Sequence, residues 1–148
     1  MLVILVKELM SPGLITTHPD ATLGEARALL DQHRIRHLPV AEGGSLIGII
    51  TDRDIRSAAP AASLGLVRVR EAMTRNPFTV TPETRVQEAA KLMVTNHIGG
   101  LPVLKDTRLV GIITETDLLQ AFVEIVEATT RERIAPDYAR RTVTISDL

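Results

Sequence analysis

Apolar residues recur at helical spacing at Leu23, Ala26, Leu29 and Leu30, and again at Val86, Ala89, Ala90 and Met93, so each stretch predicts a helix with one buried face. A proline that favours a turn precedes each, Pro19 or Pro82, followed by a capping-box pattern, Thr22-x-x-Glu25 or Thr84-x-x-Gln87. After each helix stand two short apolar runs. The first, Leu38-Pro39-Val40 or Leu101 to Leu104, carries a proline that argues against a central strand. The second, Leu46 to Ile50 or Leu109 to Ile113, is nearly continuous and β-branched, as in a strand buried on both faces. Between the runs lie the turns Glu42-Gly43-Gly44-Ser45 and Lys105-Asp106-Thr107-Arg108. A second helix starts at Thr51 or Thr114; the later one continues through Phe122, Val123, Ile125 and Val126. With the extended segments Leu14 to Thr17 and Phe78 to Thr81 in front, each unit reads β-α-β-β-α.

The two units are the same sequence twice. Val6 to Ala58 and Val69 to Ala121 align without a gap at an offset of 63, with 19 of 53 positions identical. A lone unit of this size buries too little surface to be stable, and pairing the units supplies the missing core. The expectation is an α/β (α+β) fold of two repeats packed about a pseudo-twofold axis, with two equivalent clefts between them. The first repeat with its linker spans 1–66, the second 67–125, and a C-terminal tail 126–148. Pro60 to Leu66 is an Ala-rich linker, and the tail turns polar from Thr129, with Pro136 and Arg140-Arg141; Val143-Thr144-Ile145 offers an edge strand.

Composition narrows the function. Hydrophobic residues make up 45% of the chain but aromatic ones only 2%, so the core is aliphatic and stacking platforms for single-stranded nucleic acid are missing. A net charge of −1 gives no electrostatic footprint for nucleic acid or an anionic membrane. The absence of cysteine removes disulfides, thiolate metal sites and cysteine nucleophiles. The apolar start, Met1 to Val6, is too short to span a bilayer and lacks the flanks of a signal peptide, so the expectation is a soluble cytoplasmic protein.

Chemistry concentrates where each buried strand meets its second helix. In Gly48-Ile49-Ile50-Thr51-Asp52-Arg53-Asp54, Thr51 is placed to cap a helix whose free N–H groups and dipole suit a phosphate. Asp54 would repel that phosphate but can accept hydrogen bonds from a ribose diol. Gly111-Ile112-Ile113-Thr114-Glu115-Thr116-Asp117 repeats the arrangement. Phosphate plus ribose implies a nucleotide. A second reading stands beside it: Thr-x-x-Asp satisfies a helix N-terminus by itself, and duplication copies caps as faithfully as sites.

The paired units, with Ile35-Arg36-His37-Leu38-Pro39-Val40, Gly-Leu-Pro-Val in the second copy, Thr51-Asp52-Arg53-Asp54 and Thr116-Asp117-Leu118-Leu119, resemble tandem cystathionine β-synthase (CBS) domains, and among them bacterial acetoin-utilisation CBS proteins. The resemblance covers Val3 to Phe122. It implies a regulatory module, not an enzyme, that binds AMP, ADP, ATP, S-adenosylmethionine or NAD as ligands, with no required cofactor. It also implies a homodimer and an unnamed regulated partner protein. Carried over, the Asp54 cleft comprises Ile49, Thr51, Arg53 and Asp54, with Asn76, Phe78 and Thr79 and the backbone of Ile98 and Gly99 around the base. The Asp117 cleft comprises Ile112, Thr114, Thr116 and Asp117, with Gly13, Ile15, Thr16, Ile35 and Arg36. In similar proteins the residues before Leu-Pro-Val in the Asp-bearing repeat approach the phosphates. Arg36, His37 and Arg53 would then favour more phosphates in the Asp54 cleft, where the second repeat has Gly99, Gly100 and Thr116. The alternative function is an oligomerisation scaffold with empty clefts.

Other patterns carry less. His33 and His37 are four apart, but Arg34 intervenes and Ile35 falls at the predicted helix end, so no metal site is assigned; Asp52-x-Asp54 sends one carboxylate to solvent. No triad pattern is visible. The stripe Val86, Ala89, Ala90 and Met93 fits a core or a dimer interface better than a cofactor contact.

Overall fold

A computed structural model describes residues 2–12 and 14–133. Gly13 and the suggested strand at Val143-Thr144-Ile145 lie outside the described residues, as do Pro136 and Arg140-Arg141. Each repeat opens with a one-turn helix, α1 (Val6–Leu9) or α4 (Val69–Ala72), where sequence gave only a lead-in. Then follow α2 (Leu23–His33), the hairpin β1 (His37–Glu42) and β2 (Ser45–Thr51), and α3 (Asp52–Ala58). After α4 a short strand, β3 (Thr74–Arg75), precedes α5 (Val86–Asn96), the hairpin β4 (Gly100–Lys105) and β5 (Arg108–Thr114), and α6 (Glu115–Arg133). The expected continuation of the last helix past Ala121 is present, and α6 takes in the first residues of the polar tail.

The hairpins share one register: His37 faces Thr51 as Gly100 faces Thr114, and each has an irregularity one step after its valine, at Val40/Ala41 or Val103/Leu104. Leu14 to Thr17 and Phe78 to Thr81 contribute single parallel bridges, Thr17 to Val40 and Val80 to Val103, not full strands. This accommodates the prolines. Thr17 N–H donates to the Pro39 carbonyl (3.0 Å) and Ala41 N–H to the Thr17 carbonyl (2.9 Å), so Pro39 turns its missing N–H toward an outer edge paired at one residue only.

One capping box forms and the other does not. Thr22 Oγ1 accepts from Glu25 N–H (3.1 Å) while Thr22 N–H donates to the Glu25 carboxylate (3.3 Å). The expected Thr84-x-x-Gln87 box is corrected: α5 is capped at Arg85 without a side-chain bond, and Thr84 Oγ1 accepts from Thr81 N–H (3.0 Å) within the preceding turn. Thr22→Ala is therefore expected to cost about 1 kcal/mol in denaturant unfolding. Gln87→Ala should stay within about 0.5 kcal/mol of the parent; an equal cost from both would restore the symmetric cap.

The repeats exchange their openings. Val6 is buried among Val80, Ala89, Met93, Leu101, Val103 and Ile113 of the second repeat. Val69 is buried among Leu23, Leu30, Leu38, Val40, Ile50 and Ile55 of the first. The backbone does the same in mirror fashion. Val6 N–H donates to the Thr84 carbonyl (2.8 Å) and Lys7 N–H to Pro82 (3.0 Å), as Val69 N–H donates to Ala21 (2.8 Å) and Arg70 N–H to Pro19 (3.0 Å). Further along, β3 pairs antiparallel with β2, Ile49 facing Thr74, and Ser11 pairs with Ile112 of β5. Each core is thus closed by a segment of the other repeat.

Candidate functional site

The exchange carries the expected base-side residues to the expected carboxylates. β2 delivers Ile49 and Thr51 to the start of α3, where Arg53 is exposed and Asp54 half-buried. Beyond β3, Asn76 N–H donates to the Ile47 carbonyl (3.3 Å), with Asn76 in the left-handed region (φ 48°). Asparagine tolerates that conformation, and the turn sends Phe78 and Thr79 onward from β2. In the second copy Ile112 pairs with Ser11, and the chain leads from there toward Ile15 and Thr16.

Both Thr-x-x-Asp segments do cap their helices. Thr51 N–H donates to Asp54 Oδ2 (2.9 Å) and Asp54 N–H to Thr51 Oγ1 (3.1 Å). Thr114 N–H donates to Asp117 Oδ2 (2.8 Å), and here the Thr114 hydroxyl also donates to that oxygen (3.1 Å). In each aspartate one oxygen is committed to the cap. Oδ1 accepts no hydrogen bond among the described residues, so both the cap and the ligand role fit one side chain. The segments before the Leu-Pro-Val runs are tied to the same helix starts: Asp52 N–H donates to the Arg36 carbonyl (3.1 Å) and Glu115 N–H to that of Gly99 (2.9 Å).

The repeats differ at the junction between them. The His37 imidazole lies over Gly99 and Gly100: a Cβ built on Gly100 would fall 2.9 Å from His37 Cδ2, and one on Gly99 3.1 Å from His37 Nε2 and 3.3 Å from Glu115 Oε2. The glycines make room for the histidine, which reaches from one repeat to the helix start of the other. Burial pushes the His37 imidazole below its ordinary value of 6.5; Glu115 opposes this, Arg36 adds to it and Asp54 opposes it. The folded state therefore takes up this proton less readily than the unfolded chain. His37's contribution to stability is complete above its ordinary value and is lost as pH falls toward the depressed folded value. Between about pH 7.5 and about pH 5.5 the parent should lose more unfolding free energy than His37→Gln. Parallel losses in the two proteins would refute the assignment.

Arg36 and Ile35 line a separate cavity of about 370 Å³ with Arg27, Leu30, Asp31, Arg34 and Asp52. Inside it Arg27 donates to Asp52 (2.5 Å), which also holds Arg56 (3.2 Å). That network drew no attention in the sequence, because ion pairing across 25 residues leaves no local pattern. Thr79 lines a larger cavity of about 490 Å³ between residues 79–84 and α5, with Glu88, Lys91 and Asn96. Thr116 is exposed, and Ile98 N–H closes α5 on the Met93 carbonyl (3.0 Å).

The discounted histidine pair is apart in secondary structure: His33 ends α2, Arg34 takes a left-handed cap (φ 53°), and His37 opens β1. His18, Asp20 and Glu42 do cluster with metal-ligand spacing, all exposed. Asp20 is already held by Arg70, which keeps its carboxyl below the usual carboxylate range.

A family model for the CBS domain matches residues 6–61 and 69–124. A CBS domain-containing protein of Dictyostelium discoideum is 42% identical, over 84% of this chain and 94% of its own length. The CBS domain pair of protein MJ0100, solved with 5′-methylthioadenosine and S-adenosyl-L-methionine, superposes with a TM-score of 0.76 at 36% identity, covering 84% of this chain and 99% of that one. An acetoin-utilization-type protein of Vibrio cholerae gives a TM-score of 0.76 at 31% identity, covering 88% of this chain and 98% of that one. Relatives that carry enzyme names are much longer. The chain spans 21% of an inosine-5′-monophosphate dehydrogenase of Korarchaeum cryptofilum and 23% of an L-aspartate semialdehyde sulfurtransferase of Methanocaldococcus jannaschii. Among the described residues no helix is long and apolar enough to cross a membrane.

Proposed function

The chain belongs to the CBS domain family, and from that premise we propose that it is a regulatory module that binds an adenosine ligand between its repeats and signals to a partner protein. The observation that carries the reading is the doubled junction. Thr51 and Asp54, and Thr114 and Asp117, each spend one carboxylate oxygen on a helix cap and keep the other for a neutral donor such as a ribose hydroxyl. The exchanged openings support it. The residues beside each aspartate come from both repeats, so a ligand seated there touches two bodies and favours one arrangement of them. A ligand shifts such an equilibrium only by its difference in affinity for the two arrangements, which is what regulation requires.

The two clefts are not equivalent in this reading. The Asp54 cleft has Arg53 and His37 close to the cap, and an imidazole there gains a proton most readily beside a polyphosphate. The Asp117 cleft has Glu115 and two glycines in those places, which suits a ligand with fewer phosphates or none. Regulation, a cytoplasmic location and a homodimer belong to the same proposal, with nucleic acid and membrane excluded as partners.

Isothermal titration with AMP, ADP, ATP, S-adenosylmethionine and NAD tests it directly. Saturable binding of at least one ligand is the expected result. Silence from all of them with folded protein would leave the scaffold reading in its place.

A further inference from the structure

The last helix has more apolar surface than its own fold covers. Leu118 and Ala121 of α6 face the core, while Leu119, Phe122, Val123 and Val126 are 64, 63, 51 and 44% exposed. These four recur at i, i+3, i+4 and i+7, one continuous stripe beside the buried one. The charged and polar side chains Gln120, Glu124, Glu127 and Arg131 fall on the opposite side of the helix. On α5, Val94 is 75% exposed.

The first repeat is the internal control. At the offset of 63, Leu119 corresponds to Arg56, Val94 to Asp31 and Ala90 to Arg27, and Phe122 and Val123 to Ala59 and Pro60 beyond the end of α3. In the first repeat that face therefore carries the Arg27–Asp52–Arg56 ion network and a short helix. In the second it carries an apolar stripe on a helix that runs on to Arg133.

We propose that this stripe is the docking surface for a second copy of the chain, second repeat against second repeat, with the two α6 helices crossing antiparallel. The stripe is self-complementary about a twofold axis between Phe122 and Val123: Leu119 of one copy meets Val126 of the other, and Phe122 meets Val123. The antiparallel crossing opposes the helix dipoles, and Glu124 and Glu127 stay in water. The opposite pairing, second repeat onto first, would press the stripe against the Arg27–Asp52–Arg56 network and strip those charges of water with no partner in return. The proposal concerns orientation and surface, and stands apart from occupancy of the clefts.

Sedimentation velocity and cross-linking on the full chain decide it. The parent should be a dimer, and Val123→Glu, at an exposed position that leaves the core intact, should raise the dimer dissociation constant by about ten-fold or more. The chain has no cysteine, so single cysteines report orientation cleanly. Val123→Cys should give a disulfide-linked dimer on oxidation. Cross-linking of Arg56→Cys with Leu119→Cys in a mixture, without self-linking at 123, would overturn the orientation. A monomeric parent would overturn the proposal. So would a parent that dimerises only when residues 134–148 are deleted, since the tail would then be the occupant. Nucleotide titration of Val123→Glu separates the two readings: the cleft proposal can fail while the dimer persists, and the reverse.

Discussion

Asp54→Ala and Asp117→Ala should each abolish one of two binding events for adenosine ligands, by different amounts for different ligands. Each carboxylate is placed to accept from ribose hydroxyls through the oxygen its own cap does not use. Hydrogen bonds to a charged acceptor contribute roughly 1.5–3 kcal/mol each, so losing them weakens a site by about ten-fold to a hundred-fold or more. The same substitution removes a bond to the N-cap amide, which costs about 1 kcal/mol of stability and leaves the protein folded. The two roles therefore separate experimentally: the cap role lowers the unfolding midpoint only, and the ligand role lowers affinity far beyond that. The asymmetry at His37 and Arg53 adds a direction. Asp54→Ala should remove most of the ATP binding, and Asp117→Ala most of the binding of ligands with fewer phosphates. Titration of both variants with ATP, AMP and S-adenosylmethionine checks this. Unchanged isotherms from both would show that the aspartates are caps and nothing more.

Much of this arrangement is written locally in the sequence, because it depends on short-range geometry. Thr51 caps α3 three residues before Asp54, and the hairpin registers follow from β-branched runs broken by the same turn. The repeat itself predicts the second register from the first. Where the repeat was set aside, the reading failed: at an offset of 63 the equivalent of Thr22 is Arg85, so the cap belongs at Arg85 and not at Thr84. Thr84 matched the motif, but its hydroxyl was already committed to the turn that Pro82 begins.

The exchange of α1 and α4 was invisible for a different reason. Val6 and Val69 are identical residues at equivalent positions, so docking onto their own core or onto the other core buries the same side chain in the same kind of pocket. Local preference cannot choose between two equal burials; the path of the chain between the repeats does. The placement of His37 over Gly99 and Gly100 was also beyond a local reading, since it joins two repeats across the pseudo-twofold axis. What the sequence did offer was the mismatch itself: Arg36-His37 against Gly99-Gly100 inside an otherwise matched stretch.

Gly48→Ala should destabilise the protein by about 1–3 kcal/mol and weaken the Asp54 cleft, while Gly111→Ala acts on the Asp117 cleft. The cause is the close approach of the exchanged openings. A Cβ at Gly48 would stand 2.8 Å from both Met73 Sδ and the Thr74 carbonyl oxygen, and one at Gly111 2.8 Å from Met10 Sδ and 3.0 Å from the Ser11 carbonyl oxygen. A methionine side chain can swing away. The carbonyls cannot move without dragging the backbone, because Thr74 is paired with Ile49 and Ser11 with Ile112. Truncating the side chain should therefore give only partial relief: Gly48→Ala combined with Met73→Ala remains strained against Thr74, and a double-mutant cycle in denaturant isolates that residue of strain. The functional consequence follows from the same backbone. β3 leads into Asn76, Phe78 and Thr79, so pushing it off β2 displaces the base-side wall of the Asp54 cleft without touching Asp54. Asp54-dependent binding should weaken in Gly48→Ala while Asp117-dependent binding holds, and Gly111→Ala should show the converse. A Gly48→Ala protein whose unfolding free energy stays within about 0.5 kcal/mol of the parent would mean that β3 yields freely, and that the glycine is not what seats one repeat against the other.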